Sequence, residues 1–483
     1  MNQLIGVVSE YLWYGVFIIL VGAGLYLTIA TRAVQIRLIP EMFRVVREKS
    51  IDDDQGRKQI SSFRAFTISA ASRVGTGNIA GVAIAVSLGG PGAIFWMWLL
   101  GLLGGASAFM ESTLAQAYKV RINGEYVGGP AYYMERGLNK RWMGVAFALI
   151  ICVTYGFVFN SVQSNSIIAA LGNSLEIAPD TSQREVLGIV VGIMLAIITA
   201  MIIFGGVRKL SAFTLVAVPV MALLYLALGI GVVVLNIEKV PGMFADIVLG
   251  AFGVREFVTG TVFGVFLQGL KRGLFSNEAG MGSAPNAGAA ASVSHPVKQG
   301  LVQSLGVYFD TLVVCSITAF IVLLSNPVYG DKARGASLTQ DALATQLGGW
   351  AVHFLTIAIF LFAFSSVIGN YYYGESNIRF LTRKQAPLVV YRVVVCGFVF
   401  LGAVLSLDLV WSLADVFMGV MATLNLVAVL MLAKVGIALM RNYTQQRRRG
   451  AEPTFHADDL GVEGMETWDG SDPVTRPLEQ AAS

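Results

Sequence analysis

Charge is what this chain has least of. Asp, Glu, Lys and Arg make up 13% of 483 residues, about half of the ~25% usual in soluble domains. Hydrophobic residues reach 55% and the mean hydropathy is +0.68, too apolar to cover a surface in water. The length alone would suit two or three soluble domains; the composition replaces them with an integral membrane protein. A basic excess is missing as well, with 34 Lys and Arg against 30 Asp and Glu. That balance excludes a nucleic-acid-binding surface, and the apolar content excludes a disordered chain. Only three cysteines occur, Cys152, Cys315 and Cys396, each inside an apolar run. A disulfide scaffold is excluded, and each thiol reads as a small buried hydrophobe. His295, His353 and His456 are scattered, with no Cys/His spacing for zinc, haem or iron–sulfur. Residues 1–15 carry Glu10 as their one charge and lack a basic flank, so the first apolar run reads as a permanent span.

What the chain has in quantity is long apolar runs. A helix needs about 20 such residues to cross the ~30 Å hydrocarbon core. Eleven stretches qualify: 11–30, 66–88, 93–118, 142–170, 186–206, 211–236, 257–292, 299–324, 348–372, 387–405 and 409–437. They are called spans one to eleven below. Stretches such as 313–324 do not alternate apolar with polar, so the expectation is an all-α bundle and not a barrel. With the N-terminus outside, the inner loops hold 18 Lys and Arg and the outer loops 5. The positive-inside bias therefore places the N-terminus on the periplasmic or extracellular side and the C-terminus in the cytoplasm. Residues 1–440 form the membrane domain. The remainder, 441–483, begins with Arg447-Arg448-Arg449 and from Ala451 on carries eight acidic residues, one Arg and three prolines. It reads as a solvated, disordered cytoplasmic tail, with regulatory docking as the alternative. Residues 128–134 are expected along the inner interface.

Two spans carry what an apolar helix avoids. Span two contains Ser72-Arg73-Val74-Gly75-Thr76-Gly77-Asn78, and span seven contains Gly269-Leu270-Lys271-Arg272-Gly273-Leu274-Phe275-Ser276-Asn277-Glu278-Ala279-Gly280. Glycine frees the backbone from the helix, and irregular backbone at membrane depth is tolerated only against protein or a cavity. A Gly-x-Gly pair by itself would suit close helix packing equally well. Placement argues for more. After span one, spans two to six (66–236) and seven to eleven (257–437) form two sets of five with opposite topology, and the break falls in the first helix of each. Paired broken helices in inverted repeats are the mark of a secondary transporter with a midplane site. Arg73, Lys271, Arg272 and Glu278 lie at that depth, as do Glu111 and Asp310, which have no partner nameable from sequence. Such charges mark function by default, although the basic residues would also serve as braces, paired with Glu278 or capping helix ends. No nucleophile–base pair or phosphate loop is present to support an enzyme; a channel or structural membrane protein would not need the paired breaks.

At the breaks the sequence resembles the alanine or glycine:cation symporter family. The matching blocks are 71–82, beginning Ala71-Ser72-Arg73-Val74-Gly75-Thr76-Gly77-Asn78; Gly89-Gly90-Pro91-Gly92; Gly128-Gly129-Pro130-Ala131-Tyr132-Tyr133; and Phe275-Ser276-Asn277-Glu278-Ala279-Gly280-Met281-Gly282. The resemblance covers about residues 1–440. It implies sodium-coupled uptake of alanine or glycine across a prokaryotic (inner) membrane, on the five-plus-five inverted-repeat fold of the leucine transporter. The substrate is a zwitterion. A half-helix starting near Gly77 and Asn78 would offer free N–H groups to its carboxylate, and carbonyls at other half-helix ends would take the ammonium and sodium. The expected substrate residues are Arg73, Thr76, Gly77, Asn78, Gln163, Phe275, Ser276, Asn277, Glu278 and Asn370. Gln163 belongs to a polar face with Asn160 and Ser164, for which a packing hydrogen bond is the plainer role. For sodium the resemblance implies hydroxyl or carbonyl oxygens of Ser365 and Ser366 with the carbonyls of Ala71 and Val74; serines bonded to their own helix are the alternative. No other cofactor is expected, and proton coupling through Glu278 is the rival to sodium. Lipid is an expected partner, nucleic acid is not, and no single apolar face marks a subunit interface.

Overall fold

The structure is a computed structural model that describes residues 2–472 except 53–57, 206, 259–260 and 331–334, without the side chains of 2–8 and most of 207–218. It is almost entirely helical. Among the described residues, eight helices are long and apolar enough to cross a membrane: 9–30, 92–117, 141–174, 182–203, 297–324, 350–381, 385–404 and 407–431. These correspond to spans one, three, four, five, eight, nine, ten and eleven. The other three expected spans are each interrupted or bent. Span six lies in the helix Val207–Leu235, and its part from Pro219 meets the helix Ile237–Ala251 at 76°. Span two is split into Ser62–Arg73 and Val82–Gly89, joined through a π-helical turn over Gly77–Gly81. Span seven is split into Val262–Asn277 and Ala284–Ala289.

Local chemistry accounts for both splits. Ser61 Oγ and Thr261 Oγ1 cap the two incoming helices, accepting the N–H of Arg64 and Gly264, which satisfies orphan donors at each start. The first helix stops at Val74, whose ψ of 84° is non-helical. The second stops at Glu278, in the left-handed region at φ 56°. Gly280 and Gly282 follow at φ 84° and 80°, where a Cβ would be strained.

Two further π-helical stretches, Thr154–Phe159 in span four and Phe309–Cys315 in span eight, are features that the apolar pattern did not announce. Between spans three and four the chain makes a two-stranded hairpin, Val120–Ile122 with Glu125–Val127, and the short helix Pro130–Arg136.

The tail is the main departure from expectation. A helix runs from Ala433 to Arg448, and the chain beyond it is packed down as far as Asp472. Trp468 is fully buried and its Nε1 donates to the Gln116 carbonyl at 2.9 Å. Phe455 and Met465 are buried with it. Asp472 accepts from Arg121 Nε at 2.8 Å and from the Tyr126 hydroxyl at 2.6 Å, Glu452 pairs with Lys298 and Glu466 with Arg136. The acidic composition that suggested solvation is what the basic loops around Arg44, Arg121, Arg136 and Lys298 attract, and three apolar side chains supply the burial. Residues 473–483 lie outside the described ones.

Candidate functional site

The two breaks meet, and side chains join them at two levels. The Ser72 hydroxyl lies 2.7 Å from Glu278 Oε1 and 2.8 Å from Asn370 Oδ1, linking spans two, seven and nine. Glu278 also accepts from Ser283 Oγ at 2.7 Å. At the second, Asp310 of span eight bridges both breaks: Asn78 Nδ2 donates to its Oδ1 at 2.6 Å and Ser276 Oγ to its Oδ2 at 2.7 Å. Asn277 turns to Thr311, donating at 3.0 Å. Asp310 and Glu278 are thus placed at the centre, and all of these polar groups are buried.

Span four reaches the first break through Gln163, whose Oε1 accepts from both the backbone N–H and the hydroxyl of Thr76, at 3.2 and 2.9 Å. Of the polar face, Ser164 bonds its own helix at the Asn160 carbonyl, while Asn160 accepts from Asn370 Nδ2 at 3.0 Å. Just before the half-helix that starts near Gly77 and Asn78, the Gly75 N–H is taken by Asn78 Oδ1 at 3.0 Å and that of Thr76 by Gln163, while the Asn78 N–H reaches the Gly75 carbonyl at 3.3 Å. The polar side chains nearby stand in as acceptors, as buried amides require.

Aromatic rings narrow the space beside Gly77. Phe275 packs against Phe159 and Trp411 with ring centroids 4.7 and 4.8 Å away. A Cβ on Gly77 would come within 2.8 Å of the Phe275 ring.

Ser366 Oγ sits 3.0 Å from both the Ala71 carbonyl and the Phe362 carbonyl of its own helix. A Cβ on Gly75 would lie 2.1 Å from that oxygen, so only glycine permits the approach. Ser365 instead bonds its own helix at the Phe362 carbonyl. Val74, at the end of the incoming helix, donates its N–H to the Ala70 carbonyl.

The basic residues Arg73, Lys271 and Arg272 find partners other than Glu278. None is hydrogen-bonded to Glu278. Arg73 donates through Nη1 to the Gln303 carbonyl of span eight at 3.3 Å, so it is turned toward that helix. Arg272 donates through Nη2 to both oxygens of Asp415 of span eleven, at 2.9 and 2.7 Å, and covers the Trp411 ring; Lys271 lies 3.8 Å from the same carboxylate. Asp415, Ser72 and Trp411 were absent from the expected set. Asp415 had a signal, a carboxylate inside an apolar span, whereas Trp411 had none beyond an aromatic in such a run.

The junction gathers buried carboxylates, carbonyls, amides and hydroxyls from five spans. The matching of sequence to known families decides what the geometry suggests. Residues 1–457 match the model of the sodium:alanine symporter family. The chain belongs to that family. Similar relatives include the amino-acid carrier protein AlsT of Bacillus subtilis (strain 168), 48% identical and covering 97% of this chain and 98% of the relative. The probable sodium/glutamine symporter GlnT of the same organism is 46% identical, with 98% of both chains covered. The sodium/alanine symporter AgcS of Methanococcus maripaludis is 36% identical, covering 93% and 99%. Among solved structures, MhsT in complex with L-phenylalanine superposes with a TM-score of 0.54 at 16% identity, over 80% of this chain and 99% of that one. That likeness shows the fold, the leucine-transporter architecture. This symporter family member is a multi-pass membrane transporter and not an enzyme.

Proposed function

We propose that this chain imports a small neutral amino acid, alanine first and glycine with it, by sodium-coupled alternating access between its two broken helices. The observation that carries the reading is the junction itself: Ser72–Glu278 and Asn78–Asp310–Ser276 tie the two interrupted helices together around Gly77. In this reading Gln163, Asn370, Thr76, Asn78 and the backbone at Gly77 hold the substrate. Ser276, Asn277 and Glu278 close it from the opposite repeat, and Arg73 braces the site. Phe275, Phe159 and Trp411 limit side-chain size, which favours alanine over the glutamine named for one relative. Sodium is held by Ser366 and the Ala71 carbonyl, with Val74 and Ser365 contributing carbonyl oxygens.

The chain has eleven spans in this reading, the split and bent ones included, with 66–236 and 257–437 as inverted repeats. It sits in a prokaryotic inner membrane with the C-terminus inside. Supporting that orientation, the tail packs on Arg44, Arg121, Arg136 and Lys298, all in loops assigned to the inner side by charge. Uptake into proteoliposomes tests the reading: alanine and glycine should compete, and leucine, phenylalanine and glutamine should compete weakly. Inhibition by glutamine as strong as by alanine would overturn the size argument.

A further inference from the structure

We propose that Glu111 is a positioning residue for transport: its carboxyl group holds the unwound segment after Glu278 in the shape that closes the site. A helix broken at membrane depth leaves backbone N–H groups without partners. Two of them, from Gly280 and Gly282, point at Glu111 of span three and are accepted by Oε1 at 3.2 Å and Oε2 at 3.0 Å. A third donor, Asn425 Nδ2 of span eleven, reaches Oε2 at 2.7 Å. Three donors converge on one fully buried side chain, and its two oxygens supply the acceptors for all three.

The network continues to the cytoplasmic side. Asn425 also donates to the Gly280 carbonyl at 2.9 Å, and its Oδ1 accepts from the Tyr133 hydroxyl on the short helix Pro130–Arg136. There is no slack in the segment: a Cβ on Gly282 would meet Pro130 Cγ at 2.6 Å and Asn425 Cγ at 2.8 Å. Glu111 thereby fixes the downstream side of the same break whose upstream end carries Phe275, Ser276 and Glu278. The geometry of those groups depends on it although it does not face the substrate.

The inference rests on the site reading above, and its test separates the two. Purified wild type, Glu111→Gln, Glu111→Asp and Gln163→Ala are compared for alanine binding at saturating Na⁺, counted per folded molecule. The amide of Glu111→Gln turns a donor toward one of the N–H groups. Its alanine Kd is expected to rise about tenfold at unchanged Tm, with Glu111→Asp recovering part of the loss. A Kd within twofold of wild type for Glu111→Gln, with Gln163→Ala still impaired, overturns the role of Glu111 and leaves the site reading standing. Wild-type affinity in both variants overturns both. If Glu111→Gln does not fold, Tyr133→Phe decides: loss of one hydroxyl should raise the Kd about threefold, and no change refutes the network.

Discussion

Replacing Gly75 with alanine is the most direct structural probe of the sodium site. The added Cβ would lie 2.1 Å from Ser366 Oγ and 3.1 Å from Ser366 Cβ, with Gln163 Oε1 next at 3.3 Å. The first two distances leave no room, so either the Ser366 hydroxyl rotates off the Ala71 carbonyl or spans two and nine separate. Overpacking of this kind costs about 1–3 kcal/mol. Charged to the sodium-bound state, that is a loss of affinity of about 5- to 150-fold. The assay is alanine uptake into proteoliposomes titrated with Na⁺, with choline holding ionic strength constant. Gly77→Ala is the comparison, because its Cβ meets Phe275 at 2.8 Å and the Ser276 backbone at 3.3 Å. Gly75→Ala should raise the Na⁺ half-saturation more than the alanine KM, and Gly77→Ala should do the reverse. Indistinguishable effects of the two variants, or an unchanged Na⁺ half-saturation in Gly75→Ala, would refute the assignment.

Further expectations follow from the same contacts. Asp415→Asn leaves Arg272 buried without its counter-charge, a loss of about 3–5 kcal/mol; thermal unfolding should fall accordingly, and adding Arg272→Gln should recover part of it. Trp468→Ala should release the tail, read as faster protease cleavage between residues 451 and 472 without loss of the membrane domain. Tail docking should also strengthen as pH rises above 7. Burial beneath the Tyr126 and Trp468 rings, with the nearby Arg121 charge adding to it and Asp472 opposing it, pushes Lys119 down to about 7 from its ordinary 10.5. The docked state therefore binds fewer protons between those values and is favoured as pH increases; cleavage rates that rise with pH over that window would contradict this. A reporter fused after Ser483 should be cytoplasmic and one at Gly335 periplasmic, and the opposite labelling at either would overturn the orientation.

Much of this architecture was legible because membrane helices are marked by composition and breaks by glycine and charge. The runs around Gly75 and Glu278 stood out since both violate what lipid permits. Their partners did not, because Asn78–Asp310, Glu111–Gly280 and Arg272–Asp415 join residues far apart in sequence. Nothing local says that Arg73 turns toward Gln303, or that Asn78 and Gln163 occupy the N–H groups at the first break. The π-helical turns in spans four and eight leave no apolar signature, since one extra residue per turn shifts a face without changing composition. The tail was misread for a related reason. Its acidic average hides Phe455, Met465 and Trp468, whose seats are formed by residues far away in sequence.

The central claim is that sodium, moving down its gradient, drives amino-acid accumulation through this site. The measurement is alanine accumulation in proteoliposomes under an imposed Na⁺ gradient, beside sodium-free choline buffer with an imposed pH gradient, for wild type and Glu278→Gln. The account predicts concentration of alanine above the external level only with the Na⁺ gradient. Wild-type accumulation that persists in sodium-free buffer under the pH gradient, and is abolished by Glu278→Gln, would contradict it.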